Sequence, residues 1–156
     1  MLLHTFLLGA ALAAPPVHTK PAVVNTPYET VEDWIRELRK KDPAKRLLAA
    51  RTIRSELRVA INQSENAPIG SLRRDEALAR LDDFQRHGVP ACVDHVNNIN
   101  DPHPANARRV LVTCADILAM LRAKEALPAL EVRIDQERGR LQRRLQRAAS
   151  AIEGEE

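Results

Sequence analysis

Twice in this chain a proline opens an apolar helical stretch: Gly88-Val89-Pro90-Ala91-Cys92 and Ala126-Leu127-Pro128-Ala129-Leu130. Proline lacks an N–H and fixes φ near about −65°, so it is at home in the first turn of a helix and disruptive deeper in. A second punctuation mark follows the short helices. Asp42-Pro43 and Asp101-Pro102 each close one helix and open a longer amphipathic one, the aspartate as cap and the proline in the first turn. A third, weaker unit has Asp135 with no proline after it. A chain punctuated in this way is a series of helical hairpins. One such hairpin cannot bury its own apolar face; a stack of them can.

Hydrophobic spacing places the helices. Val31, Trp34, Ile35 and Leu38 recur at i, i+3, i+4, i+7 and predict a first helix over 29–41. A second, over 44–62, buries Leu47, Ala50, Ile53 or Arg54, Leu57 and Ile61, with Leu48 and Ala49 beside the stripe. After a break at 63–71, holding Pro68 and Gly70, a third helix over 73–87 buries Ala77, Leu78, Leu81 and Phe84 and ends at Gly88. The remaining helices fall at 89–99, 105–123, 125–135 and 136–153. The fourth turns Val89, Cys92, Val93, Val96 and Ile99 inward, and the fifth Ala107, Val110, Leu111, Cys114, Ile117, Leu118 and Leu121. No segment alternates apolar and polar residues for long enough to be a strand. Aromatics are only 3% of the chain, so the core is aliphatic, which suits helix-on-helix packing.

Residues 1–13 read as a secretory signal peptide, with an apolar run from Leu2 to Leu12 and the small-x-small step Ala11-Leu12-Ala13. Its n-region departs from the usual pattern in carrying His4 but no Lys or Arg. The run is shorter than the roughly 20 apolar residues that span a bilayer, and no cysteine near the cleavage point suggests a lipid anchor. Cleavage removes no charged side chain, so the net charge stays at +3. Residues 14–28 contain Pro15, Pro16, Pro21 and Pro27 and read as an extended tether. The expected product is exported, periplasmic or extracellular, with one helical domain over 29–153.

The paired helices resemble HEAT repeats. The resemblance rests on Asp42-Pro43-Ala44-Lys45-Arg46 followed by Ala49, Ala50 and Ile53, and on the two Val/Leu-Pro-Ala helix starts. Pro90 and Pro128 are 38 residues apart, near the HEAT period of about 40–47. It implies an all-α superhelix of about three hairpins over 29–153. Pro27 and Pro90 are 63 residues apart, so the first unit should hold an extra helix and loop. The acidic end Glu153-Gly154-Glu155-Glu156 reads as a polar cap on the array.

Basic stripes are the main candidate for a binding surface. Arg140, Arg144 and Arg147 share a face of the last helix, and Arg51, Arg54 and Arg58 form a similar stripe on the second. Aligned helices would merge them into a surface for phosphate or an acidic protein; the alternative is a solvated face balanced by Glu56, Glu131, Asp135 and Glu137. Cys92 and Cys114, both inward-facing, either form a disulfide or pack as free thiols. A bridge would close a loop worth roughly 3 kcal/mol in the chain-entropy model, but packed helix axes lie about 8–10 Å apart and a disulfide needs Cα atoms within about 7 Å.

His87, Asp94, His95, Asp101 and His103 cluster in sequence, yet none pairs at i, i+4 on the fourth helix, and Asp94 and His95 are expected on its outer face, so no metal site is assigned. Some HEAT-like enzymes bind iron through His-Glu pairs, a dipeptide this sequence lacks. Asn62-Gln63-Ser64 is a glycosylation sequon, meaningful in a eukaryotic secretory pathway. There is no Gly-rich phosphate loop, nucleophile elbow or CxxC. These features predict a non-enzymatic, cofactor-free scaffold that binds a protein. Alternatives are a nucleic-acid- or phosphate-processing module, like the HEAT-like DNA glycosylases, and a fragment of a larger repeat system. Beyond the signal segment only Tyr28, Trp34 and Phe84 are aromatic, too few for a base-reading cleft.

Overall fold

The computed structural model describes residues 30–98 and 104–154. The expected signal peptide and tether, Ile99 and the Asp101-Pro102 turn with His103 lie outside these residues. Within them the chain is helical, with no strand. Seven α-helices run in order: α1 Val31–Leu38, α2 Pro43–Asn66, α3 Leu72–Asp83, α4 Val89–Asn97, α5 Pro104–Met120, α6 Leu127–Gln136 and α7 Gly139–Glu153.

Their packing is that of three stacked hairpins. α1 packs on α2, α4 on α5, and α6 on α7. The longer second helices form one layer in the order α2, α5, α7, while α4 touches α6 and the turn before α4 touches α1 in the other. α3 is the extra helix of the first unit and packs along α2. The core between the layers is aliphatic, built on Leu38, Ile53, Leu57, Ile117, Leu118, Leu130, Leu145 and Ile152. One aromatic pair, Trp34 stacked on Phe84 at 6.2 Å between ring centroids, ties α1 to the end of α3.

Local chemistry sets the helix starts. Thr30 caps α1 by accepting from the Asp33 N–H at 3.2 Å. Asp42 caps α2, accepting from the N–H groups of Ala44 at 2.9 Å and Lys45 at 3.3 Å, with Pro43 in the first turn. α5 ends in a Schellman arrangement. Ala123 N–H donates to Leu118 O and Arg122 N–H to Ala119 O, both at 3.0 Å, with Arg122 at φ 49° in the left-handed position that glycine usually takes.

Three sequence expectations are corrected. α2 does not stop at 62 but runs on to Asn66, because its last two turns pack against α3 rather than entering a loop. Gly88 does not end a helix: it sits at φ −75° in a π-turn, Phe84–Gly88, that joins α3 directly to α4. The cause is Pro90, whose ring would crowd the carbonyl four residues back and which cannot donate to it. The wider turn absorbs this: Val89 N–H reaches Phe84 O, five residues back. Finally, Leu78, expected in the core, lies on the surface at 48% exposed, and Leu48, expected beside the stripe of α2, is 61% exposed; Ala77 is buried as expected, and so is Ala49 beside the stripe.

The π-turn generates a test. A Cβ on Gly88 would meet Ile35 Cδ1 at 3.9 Å and Phe84 Cδ1 at 4.0 Å, ordinary contacts, and the backbone is already helical. Gly88→Ala is therefore expected to stabilise the protein by about 0.5–1 kcal/mol in urea unfolding, by restricting the unfolded chain. A helix-ending glycine would respond in the opposite sense.

Candidate functional site: an arginine-lined groove across three helices

The second helices of the three hairpins share an open groove of about 580 Å³. α2 contributes Leu47, Arg51 and Arg54; α5 contributes Arg108, Arg109, Val112 and Thr113; α7 contributes Arg140, Leu141 and Arg144. The spacings are helical. Leu47, Arg51 and Arg54 fall at i, i+4, i+7, and the pairs Arg108 with Val112, Arg109 with Thr113 and Arg140 with Arg144 at i, i+4, so each set projects from one side of its helix. Each helix turns its other side to the core: Ile53 and Leu57 from α2, Cys114 and Ile117 from α5, Leu145 and Ala148 from α7.

Six guanidinium groups thus face one concavity. Arg54 is anchored there. Half-buried, it holds Asp116 of α5 at 2.7 Å, an ion pair between neighbouring units. Among the described residues no carboxylate pairs with Arg51, Arg108, Arg109, Arg140 or Arg144, all of them exposed. The chain's net charge is only +3, so the positive charge is concentrated here and compensated elsewhere. Nineteen of the 24 basic residues in the chain are arginine, and every basic group in the groove is one. A guanidinium is a planar fork that meets a carboxylate or phosphate with two parallel hydrogen bonds. Thr113 is committed internally, its hydroxyl donating to Arg109 O at 2.8 Å.

Four of the six arginines expected from the sequence line the groove: Arg51, Arg54, Arg140 and Arg144. Arg58 and Arg147, although exposed, lie outside its lining. Arg108 and Arg109 were not among the expected set. Their signal was an adjacent Arg pair one turn into α5, but adjacent residues diverge on a helix and do not read as a stripe. Arg108 also borders a smaller cavity of about 170 Å³ shared with His95, Arg133 and Glu137, where Arg133 pairs with Glu137 at 2.7 Å.

The other sequence candidates are engaged structurally. His95 is not on the outer face of α4: it is half-buried, its Nε2 2.9 Å from Leu38 O, so that it bridges α4 to α1. His87 faces α1, 3.9 Å from Glu32, and Asp94 is exposed. The sequon lies on a helix, with Ser64 buried and its hydroxyl donating to Ile61 O at 2.8 Å. Among the described residues, no three His, Cys, Asp or Glu side chains converge as a metal site would require, and no helix is long and apolar enough to cross a membrane.

Cys92 and Cys114 meet across the α4–α5 interface as free, fully buried thiols. Their mutual hydrogen bond, then burial, then the charge of Cys92 push the Cys114 thiol well above the ordinary cysteine range. From about pH 8.5, the ordinary thiol value, up to the raised folded value, the unfolded chain has lost a proton that the folded chain keeps. This contribution to stability is complete below about pH 8.5 and declines as pH rises toward the folded value. The urea midpoint is expected to fall between about pH 7.5 and pH 10, and to fall less in Cys114→Ala. Equal slopes for the two proteins would show that the thiol pair does not set this dependence.

No protein-family profile, no curated protein and no solved structure matches this chain.

Proposed function

We propose that this chain is an exported, non-enzymatic scaffold of HEAT type that holds an acidic protein partner in the arginine-lined groove. The groove itself carries the reading: six guanidiniums from three successive helices, five of them without a carboxylate partner among the described residues. Exposed, uncompensated like charges repel one another and weaken the fold. A protein that concentrates them on one face while its net charge stays low has a use for them. Stacked hairpins create such an extended face without needing an enclosed catalytic pocket. Export rests on the apolar run and small-x-small step of residues 1–13.

A nucleic-acid reading would use the same positive charge through phosphates. Single-strand binding commonly adds aromatic platforms for the bases, and the groove lining contains none. The protein reading is therefore preferred.

The test compares three forms of the protein as bait on the envelope and secreted fractions: the natural chain, Arg140→Glu/Arg144→Glu, and Arg58→Glu/Arg147→Glu. Reversing the two groove charges is expected to reduce capture of acidic partners about tenfold or more. Reversing the two arginines outside the groove should leave capture unchanged. Identical partner sets for all three would overturn the reading.

A further inference from the structure

We propose that the occupant of the groove is an amphipathic acidic segment, whose carboxylates meet the arginines while apolar side chains between them rest on Val112 and Leu141, beside the buried edge of Leu47. The inference depends on the groove being a protein-binding face, and adds what the bound segment must look like.

The lining is mixed in a way that a purely electrostatic surface does not need. Each of the three helices places one aliphatic side chain among its arginines: Leu47 on α2, Val112 on α5 and Leu141 on α7. Val112 and Leu141 are only partly buried. A purely polar polyanion would leave these side chains wet. An apolar group laid over one of them and fully buried gains about tenfold or more in affinity. The combination of an apolar floor and charged rims is how grooves select amphipathic helices. Arginine suits the rims, because its aliphatic stem covers apolar surface while its fork reaches a carboxylate.

Length is set by the scaffold. Three neighbouring helix axes span two packing distances, about 16–20 Å in all. A helical segment crossing them has about 11–13 residues at 1.5 Å each. Within that length, apolar residues at i, i+3, i+4 and i+7 fall on one side, leaving the flanks for glutamate or aspartate.

The probes are two labelled synthetic peptides of about 12 residues with identical glutamate content. One carries leucine at helical spacing and the other serine at the same positions. Fluorescence anisotropy with the full chain is expected to show the Glu/Leu peptide binding about tenfold or more tighter than the Glu/Ser peptide. Arg140→Glu/Arg144→Glu should weaken both. Val112→Thr, a small change at a partly buried position, should weaken only the Glu/Leu peptide; circular dichroism and a thermal melt check that each variant is folded. Equal affinity for the two peptides would overturn the inference and leave the acidic-partner reading standing. A single-stranded oligonucleotide that binds more tightly than either peptide through the same arginines would overturn it in favour of phosphate recognition. No groove-dependent binding of either peptide would also overturn it, while the capture experiment judges the broader reading separately.

Discussion

The structure depends on the packing of α5. This helix is the common neighbour of α2, α4 and α7, and its buried residues Val110, Leu111, Cys114, Ala115, Ile117 and Leu118 form the middle of the core. A helix packed on three sides has one side left. On α5 that side carries Arg108, Arg109 and Val112, and it lies between the corresponding sides of α2 and α7. The groove is thus not an addition to the fold. It is what remains when three second helices bury their apolar stripes in one shared core. Small residues sharpen the arrangement: Cys92 and Cys114 meet at the α4–α5 interface, while Asp116 reaches sideways to fix Arg54 of the preceding unit.

How much of this was legible in the sequence depended on the length of the signal. A period of 3.6 over two or more turns is hard to mimic, so every helix was visible, and Asp42-Pro43 marked its boundary correctly because cap and first-turn chemistry are local. Gly88 misled for the opposite reason. Glycine before Val-Pro reads as a break, yet the chain keeps its helix through a π-turn, and nothing local distinguishes a proline that starts a helix from one whose clash a widened turn absorbs. Tertiary packing decided it: Phe84 is fully buried and stacked on Trp34, which holds the helix in place on both sides of the turn. His95 was misplaced for a similar reason, since a bond to the Leu38 carbonyl on another helix leaves no trace in spacing.

The groove was half visible. Arg51 with Arg54, and Arg140 with Arg144, follow helical spacing and were found with their faces correct. Arg58 and Arg147, the third arginine of each stripe, lie further along their helices and outside the groove lining. The pair Arg108 and Arg109 became meaningful only beside two other helices. Sequence reading finds a stripe on one helix, whereas this groove takes three or four residues from each of three. Its charge also escaped composition: a net +3 conceals six guanidiniums in one concavity, because compensating acids such as Asp82 and Glu56 are paired elsewhere, with Arg86 and Arg80.

On the proposed reading, a site distributed over three units would tie recognition to the integrity of the stack. Each hairpin alone would present three or four of the lining residues, too few to hold a segment against the cost of ordering it. Only the stacked array has all three aliphatic positions and all six arginines in register. Stability in such arrays is close to a sum of unit stabilities and nearest-neighbour interfaces. A ligand that spans the units binds the assembled form and not the separated one, which adds to every interface it crosses. The Arg54–Asp116 pair already joins the first unit to the second at the groove's edge. Between the second and third, the described residues show apolar packing of α5 on α7 and no corresponding ion pair. That junction sets Arg108 and Arg109 on one side of the groove and Arg140 and Arg144 on the other, all exposed and without a carboxylate partner among the described residues. On the proposed reading, carboxylates seated there would offset like-charge repulsion between the four guanidiniums and bridge the second unit to the third.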